Sequence, residues 1–323
     1  MYVLEFAGED DPFAAAEARS AADGVSIVAS GLGTADRVDG DRISGLAFTR
    51  RVSEYLGQTD AMVGAAVDYL RRATIERTGT VAVRARDVRG TADIDTQIAE
   101  SKLGSALVDR GFAVDLSNPD HTLLALFADE VAVLGWQVAT PTRDYGDRAP
   151  TDRPFFQPGS MDPLLARAVC NLARVEPGDR VLDPMCGTGG LLIEAGLLGA
   201  RPIGIDAQAK MVRGTRKNVQ AALGESPFVA RGDGTRLPLL ADSVDAVVFD
   251  VPYGRQSKIE THDLADLVRG ALAEARRVAP RAVVVGDRSY EVLAREAGWT
   301  VTEKHARRVH RSLTRYVHVL AAD

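Results

Sequence analysis

Two short stretches of this 323-residue chain combine carboxylates, glycines and an aromatic ring in patterns that can do chemistry. The first is a glycine-rich turn between an apolar run and a helical pattern, with the sequence Asp183-Pro184-Met185-Cys186-Gly187-Thr188-Gly189-Gly190. The second closes another apolar run and has the sequence Asp250-Val251-Pro252-Tyr253. Glycines in such a turn let a ligand approach the backbone closely. A carboxylate, a carbonyl and an aromatic face suit a planar ring that carries an amino group. We therefore predict a cofactor at the first stretch and a base at the second.

Further carboxylates follow the predicted strands beside the glycine turn. Asp183 can accept a hydrogen bond from the turn or from a ligand amine, and Asp206 lies where a carboxylate captures ribose hydroxyls. Asp233 can accept from an adenine amine. The turn lacks the third glycine of a dinucleotide-binding motif, and no Gly-Lys-Ser/Thr follows to hold phosphates. We predict a ligand with a ribose, an adenine and a cationic tail, held by Asp183, Gly187, Gly189, Asp206 and Asp233.

These residues must be positioned by an α/β domain. From residue 154 onward, strand and helix patterns alternate, which favours a parallel sheet covered by helices. Strands are predicted at 180–182, 201–206, 228–230, 245–249 and 281–285, helices at 163–173, 190–199, 211–223 and 264–278, and an antiparallel hairpin at 299–310 and 312–320. All the candidate acids then lie at carboxyl ends of strands, where open α/β sheets bind ligands.

With these features, residues 155–323 resemble a class I, Rossmann-like, S-adenosylmethionine-dependent methyltransferase domain with a mostly parallel seven-stranded sheet. The second stretch resembles the Asp/Asn-Pro-Pro-Tyr/Phe motif of amino-group methyltransferases, with Val251 in place of a proline. Methyl transfer to an exocyclic amine needs the nitrogen lone pair aimed at the methyl carbon. Hydrogen bonds to the Asp250 carboxylate and the Pro252 carbonyl would favour that geometry, and Tyr253 could stack on the base. The alternative is a buried strand end with a turn proline and a packed tyrosine.

A segment upstream of the glycine turn resembles the element that precedes the cofactor loop in base-amine methyltransferases. Its sequence is Arg153-Pro154-Phe155-Phe156-Gln157-Pro158-Gly159-Ser160-Met161. This resemblance implies that Phe156 and Ser160 wall the methionine end of the cofactor, although both phenylalanines could also be ordinary core residues. Cys186 lies in the cofactor turn, and nothing in the sequence indicates a nucleophilic cysteine.

The N-terminal half is predicted to be an α+β region that binds RNA. A helix at 96–111 is followed by strands at 112–116, 122–127 and 131–136, and with the motif Val114-Asp115-Leu116-Ser117-Asn118-Pro119-Asp120 this region resembles the THUMP domain of tRNA-modifying enzymes. We expect a small α/β region at 1–50, the THUMP-like domain at 51–140, a linker at 141–154 and the methyltransferase domain at 155–323.

Composition is that of an ordinary globular protein, with 46% hydrophobic and 26% charged residues. No run of apolar residues is long enough to span a membrane and no secretion signal is evident, so we expect a cytoplasmic protein. Two cysteines are too few for a disulfide framework or a zinc site, and no metal is predicted. The net charge of −6 hides a cationic segment near the C-terminus that contains Lys304, Arg307, Arg308, Arg311 and Arg315. This segment is interpreted either as an RNA-facing surface, with Arg307, Arg308 and Arg311 as the candidate contacts, or as a solvated hairpin.

Together, the order of these motifs resembles the archaeal tRNA guanine-N2 methyltransferase family that acts on guanosine 10. The resemblance implies that the N-terminal half grips tRNA and that one or two methyl groups are placed on the N2 amine. Two enzymatic alternatives stay open, namely another tRNA or rRNA guanosine and a DNA base amine. A non-enzymatic alternative is an RNA-binding adaptor with a methyltransferase-like fold, or the activating subunit of a heterodimer. The need for a small activating protein partner is also left open.

Overall fold

The computed structural model describes residues 1–224, 227–252, 264–310 and 313–322. Two predicted site residues, Tyr253 and Arg311, lie outside the described residues. The chain forms two compact units, Met1–Thr142 and Arg143–Asp323. Among the described residues, the helices are all too short or too polar to cross a membrane.

The first unit is a mixed sheet with helices. Its elements are β1 (Tyr2–Phe6), α1 (Asp11–Ala18), β2 (Ala22–Asp23), β3 (Ser26–Ala29), β4 (Leu32–Ala35), β5 (Arg37–Val38), β6 (Thr49–Asp60), α2 (Val63–Arg72), β7 (Thr80–Asp87), α3 (Thr96–Val108), β8 (Ala113–Val114), β9 (His121–Ala128) and β10 (Val131–Ala139). Within residues 1–142, all of which are described, the main sheet has eight strands in the order β3-β4-β1-β6-β10-β9-β7-β8. Strands from residues 1–50 and from residues 51–140 share this sheet, so the two regions expected from the sequence form one unit.

The core of the first unit lies between the sheet and helices α2 and α3. Leu70 of α2 and Leu103 and Leu107 of α3 are fully buried together with Phe127 of β9. The Asp95 carboxylate accepts from the backbone N–H groups of Gln97 and Ile98, which caps the start of α3.

The second unit alternates strands and helices as the sequence predicts. Its elements are α4 (Pro163–Leu172), β11 (Arg180–Asp183), α5 (Gly190–Leu197), β12 (Arg201–Asp206), α6 (Ala209–Leu223), β13 (Phe228–Arg231), β14 (Ala246–Asp250), α7 (Leu264–Val278), β15 (Arg281–Gly286), α8 (Glu291–Glu296), β16 (Thr300–His310) and β17 (Leu313–Ala321). Among the described residues the sheet has seven strands in the order β13-β12-β11-β14-β15-β17-β16. Strands β11 to β15 run parallel, and β17 lies antiparallel between β15 and β16.

This architecture confirms the α/β class and the mostly parallel seven-stranded sheet. In the part of the second unit that the structure describes, the short helix α8 has no counterpart in the sequence prediction, because its six residues are too few to show a helical period. Residues 145–148 and 150–152, in the stretch expected as a linker, form two 3-10 turns. The Arg148 guanidinium pairs with the buried Glu194 carboxylate of α5, so this stretch is part of the second unit.

The strand order reverses between β11 and β14, which lie side by side at the centre of the second sheet. A crevice forms at the carboxyl end of an open parallel sheet where the order reverses, and ligands bind there. Asp183 ends β11 and Asp250 ends β14, so both stretches predicted to do chemistry lie at this point.

Candidate active site

The glycine turn is held by hydrogen bonds to the strands and helices around it. The Met185 N–H donates to Asp183 Oδ1 at 3.0 Å, and the Cys186 N–H donates to the Ile205 carbonyl at 2.9 Å. Gly189 has a φ of +83°, and a Cβ there would lie 2.8 Å from Thr215 Cγ2. A side chain is therefore excluded at Gly189 both by backbone conformation and by space. The turn presents its backbone to the crevice.

Asp206, at the end of β12, is bound to the same turn. Its Oδ2 accepts from the Gly187 N–H at 3.0 Å, and its Oδ1 accepts from the Gln208 N–H at 2.8 Å. Because each carboxylate oxygen can accept more than one hydrogen bond, both oxygens can still bind a pair of ligand hydroxyls. The two backbone bonds fix the orientation of the carboxylate for such a pair.

Asp233 follows β13, and its loop lies next to the first two strand ends. Its Oδ1 accepts from the Thr235 N–H at 2.9 Å and from the Thr235 hydroxyl at 2.8 Å. The Gly232 N–H donates to the Asp206 carbonyl at 3.1 Å. A Cβ on Gly234 would lie 2.9 Å from the Pro184 carbonyl oxygen, so this loop packs directly on the turn after β11. Asp183, Asp206 and Asp233 thus lie at the carboxyl ends of three neighbouring strands.

The electrostatics of this crevice are anionic. Asp183 is 3% exposed, and burial raises the pKa of its carboxyl well above the usual value, with Asp206 and Asp250 adding to the rise and the Met185 N–H opposing it. A cationic ligand is stabilised among such carboxylates, whereas a phosphate is repelled. The predicted ligand, which has a cationic tail and no phosphate, fits this set of groups.

The segment 153–161 is tied to the glycine turn by Asn218 of α6. Asn218 is 1% exposed, and its amide binds the Phe155 N–H and carbonyl, each at 2.8 Å, and the Thr188 carbonyl at 2.9 Å. The Ser160 hydroxyl lies 3.0 Å from the Thr188 hydroxyl. Sequence analysis missed Asn218, because only the fold brings it to residues far away in the chain.

The two phenylalanines of this segment have different environments. The Phe155 ring packs on α6, since a Cβ on Gly214 would lie 1.9 Å from it. Phe156 is 42% exposed, so it is not the core residue of the pair. An exposed ring beside the turn can contact a ligand.

Asp250 ends β14 and faces Arg315 of β17. The Arg315 guanidinium Nη2 lies 3.5 Å from Asp250 Oδ2 and also donates to the Gly159 carbonyl at 3.3 Å. Arg315 is 4% exposed, although the sequence analysis grouped it with a cationic surface segment only. One buried cation therefore contacts both the Asp250 carboxylate and the segment 153–161.

Val251 stands where the motif has a proline, and its backbone N–H takes part in the sheet. Its N–H donates to the Val285 carbonyl of β15 at 2.8 Å, and the residue is 1% exposed. A proline has no N–H and would leave that carbonyl without this partner. Pro252 follows directly, and Tyr253 lies outside the described residues.

The glycine turn also contains a cysteine, Cys186. Cys186 is buried, and burial raises the pKa of its thiol well above the usual value, which disfavours a thiolate nucleophile.

Arg307 and Arg308 are adjacent in β16 and pair with Arg315 and Thr314, so their side chains leave the sheet on opposite faces. The two arginines do not form a single patch.

Comparison with known proteins agrees with this geometry. Residues 150–317 match the family described as UPF0020, RMKL-like, methyltransferase domain. The chain is 36% identical over 292 residues to a tRNA (guanine(10)-N2)-dimethyltransferase of Methanothermobacter thermautotrophicus, covering 85% of this chain and 83% of that protein. The protein of the same description from Pyrococcus abyssi is 30% identical over 250 residues, covering 76% and 74%. Among solved structures, TrmN from Thermus thermophilus has a TM-score of 0.52 at 23% identity, covering 100% of this chain and 99% of that one, which shows a shared fold.

Proposed function

Because this chain belongs to the UPF0020 family of RMKL-like methyltransferases, with archaeal tRNA (guanine(10)-N2)-dimethyltransferases among its relatives, we propose that it methylates the N2 amine of guanosine 10 in tRNA. S-adenosylmethionine is the cofactor and supplies a methyl group bound to a cationic sulfur. The products are N2-methylguanosine and, after a second transfer, N2,N2-dimethylguanosine. The single observation that carries the proposal is the position of Asp250 beside the glycine turn, at the point where the strand order reverses.

In this proposal each residue of the crevice has one task. Gly187 and Gly189 allow close approach of the cofactor to the backbone. The Asp206 carboxylate, oriented by its two backbone bonds, binds the ribose hydroxyls. Asp233 accepts from the adenine amine. Burial raises the pKa of Asp183, and a cationic tail beside this carboxyl would oppose that rise and favour its ionised form. Phe156 and Ser160 wall the methionine end.

Asp250 and Pro252 act on the base. The N2 amine donates its N–H groups to the Asp250 carboxylate and the Pro252 carbonyl, which directs the nitrogen lone pair out of the ring plane and toward the methyl carbon. S-adenosylmethionine, once bound, would supply the methyl group, and Asp250 would stabilise the positive charge that develops on the nitrogen until a proton leaves to water. Tyr253, from the motif, would stack on the extruded base.

The first unit would supply the RNA grip. Residues 51–140 form the THUMP-like part of the mixed sheet in this proposal, and residues 1–50 extend the same sheet. Residues 143–154 belong to the second unit and lead into the methyltransferase domain at 155–323, which completes the domain assignment. Binding of tRNA by the isolated second unit should therefore be weaker than binding by the full chain.

The proposed function is tested with labelled S-adenosylmethionine and a tRNA transcript, and the modified nucleoside is mapped by mass spectrometry. Label is expected on guanosine 10. The matched control replaces guanosine 10 by inosine, which lacks only the N2 amine, and transfer to that tRNA should disappear. Label on another guanosine, or on DNA alone, would overturn the assignment. Binding of tRNA without any transfer would favour the adaptor.

A further inference from the structure

Arg315 has a role at the site that neither the motifs nor the relatives assign. We propose that Arg315 is a positioning residue, which fixes the Asp250 carboxylate and the segment 153–161 in the geometry that methyl transfer requires. The proposal rests on the proposed function, since it concerns the same reaction.

The position of Arg315 follows from the strand that carries it. Strand β17 lies between β15 and β16, and Arg315 is two residues from Val317, which is fully buried and pairs with Val285 at the end of β15. Alternate residues of a strand point to one face, so Arg315 extends from the same face of β17 as the buried Val317. An arginine on such a face is costly to bury unless its guanidinium is paired.

The contacts of the guanidinium explain why it is there. Its Nη2 lies 3.5 Å from Asp250 Oδ2 and 3.3 Å from the Gly159 carbonyl oxygen. The two N–H bonds of Nη2 are held in the guanidinium plane, so this one nitrogen can contact a carboxylate and a carbonyl in fixed relative directions. A lysine ammonium has the same charge, but its N–H bonds rotate freely about the end of a flexible chain.

These contacts join the two halves of the site. Gly159 has a φ of +86° and belongs to the segment that Asn218 and Ser160 tie to the glycine turn. Asp250 is the residue proposed to hold the base amine. Arg315 therefore sets the position of the amine acceptor relative to the cofactor side, and a displacement of about 1 Å there is enough to lower the rate of transfer about a hundredfold.

The test compares steady-state kinetics of Arg315→Gln, Arg315→Lys and the control Arg281→Gln. Arg281 also forms an ion pair from β15, with Asp179, but at the opposite end of the sheet. In Arg315→Gln, kcat should fall about 10- to 100-fold while KM for S-adenosylmethionine and for tRNA stays within about threefold. Arg315→Lys should recover part of kcat, and Arg281→Gln should keep kcat within about twofold. A kcat near the wild-type value in Arg315→Gln would overturn the proposal.

A crystal structure of Arg315→Gln separates this proposal from the proposed function. The Asp250 carboxylate and the Gly159 carbonyl should both move relative to the wild-type crystal structure, and unchanged positions would contradict a positioning role. If the wild-type protein transfers no methyl group to tRNA, the proposed function fails and this comparison still decides the role of Arg315. If Arg315→Gln does not fold, Arg315→Lys decides, because a wild-type kcat in that variant would overturn a positioning role that depends on the planar guanidinium.

Discussion

Asn218 binds the backbone of Phe155 at both ends of the residue, accepting from its N–H at 2.8 Å and donating to its carbonyl at 2.8 Å. The same side-chain amide donates to the Thr188 carbonyl in the glycine turn at 2.9 Å. A buried amide with three backbone partners is a rigid link, because each partner loses a hydrogen bond if the amide moves. One buried side chain thus links the segment 153–161 to the cofactor turn, in addition to the contact between the Ser160 and Thr188 hydroxyls.

Replacing Asn218 should break this link. In Asn218→Ala the three backbone groups lose their partner, and the free energy of unfolding should fall by about 2–4 kcal/mol. Affinity for S-adenosylmethionine should fall as well, since the segment no longer holds its place beside the turn. Urea unfolding and calorimetric titration measure the two effects. Gln220→Ala, on the exposed face of the same helix, is the control that should leave both unchanged, and an Asn218→Ala variant with wild-type affinity would contradict the link.

Val251 offers a test of the departure from the family motif. Restoring the motif with Val251→Pro removes the N–H that donates to the Val285 carbonyl, so stability should fall by about 1–3 kcal/mol. Val251→Ala keeps this N–H and serves as the control for the lost side-chain volume. Thermal unfolding of the two variants separates the effect of the lost hydrogen bond from the effect of the lost side-chain volume. A proline variant as stable as the alanine variant would mean that the strand hydrogen bond is not what selects valine here.

Asp250 is expected to be required for transfer and dispensable for binding. Asp250→Ala should lower kcat by about 10²- to 10³-fold or more, because the acceptor of the amine hydrogen bond and the stabilising charge are both removed. Binding of tRNA and of S-adenosylmethionine should persist. Asp245→Ala is the matched control, since Asp245 lies just before the opposite end of the same strand and accepts from the Arg180 N–H. Unchanged turnover in Asp250→Ala would remove Asp250 from the mechanism.

The sequence predicted the sheet and its acids well, for a physical reason. Apolar runs of strand length ending in aspartate place Asp183, Asp206 and Asp250 at carboxyl ends, and parallel strands bring those ends together. Asn218 was not predictable in this way, since its partner Phe155 lies 63 residues away and only tertiary packing joins them. The spacing of apolar residues indicates which face of a helix or strand is buried. It does not indicate which polar residue of another element lies against that face.

Arg315 was placed on the surface for a related reason. Its neighbours along the chain are basic, and a high local density of positive charge favours a solvated segment. The alternation of Arg315 with Val317 and Val319 was the available signal, because it places the arginine on the same face of its strand as two valines. Only the pairing of β17 with β15 shows that this face leads to Asp250.

The cationic residues of the hairpin can be tested as an RNA-binding surface. Combined replacement of Arg307, Arg308 and Arg311 by alanine should weaken tRNA binding and reduce its salt dependence. The slope of log K against log salt should become shallower by about 0.7–0.9 for each phosphate that is no longer neutralised. Because Arg307 and Arg308 leave β16 on opposite faces, the single variants should differ in effect. Arg269→Ala, an exposed arginine paired with Asp266 on α7, is the control. Equal affinity and equal slope in the triple variant would mark these arginines as a solvated hairpin only.

The buried Asp183 carboxyl should lower the free energy of unfolding at neutral pH when no cofactor is bound. Burial raises the pKa of this carboxyl well above its ordinary value of 3.8, so the folded state holds the proton more tightly than the unfolded chain. The unfolded state then binds fewer protons as pH rises from about 3.8 toward the folded pKa, and stability falls over that window. Asp183→Asn removes this loss and keeps an oxygen that can accept from the Met185 N–H.

We therefore expect Asp183→Asn to have a higher Tm than the wild type at pH 7, and an equal or lower Tm near pH 4, where the wild-type carboxyl is protonated. A gain of ~1 kcal/mol would raise Tm by about 2–4 °C in a unit of this size. Affinity for S-adenosylmethionine should fall in the same variant, because the cationic tail loses the charge that offsets it. Thermal scans from pH 4 to pH 8, with and without cofactor, measure both effects. A lower Tm at pH 7 together with wild-type affinity would show that the buried carboxylate is structural rather than kept for the ligand.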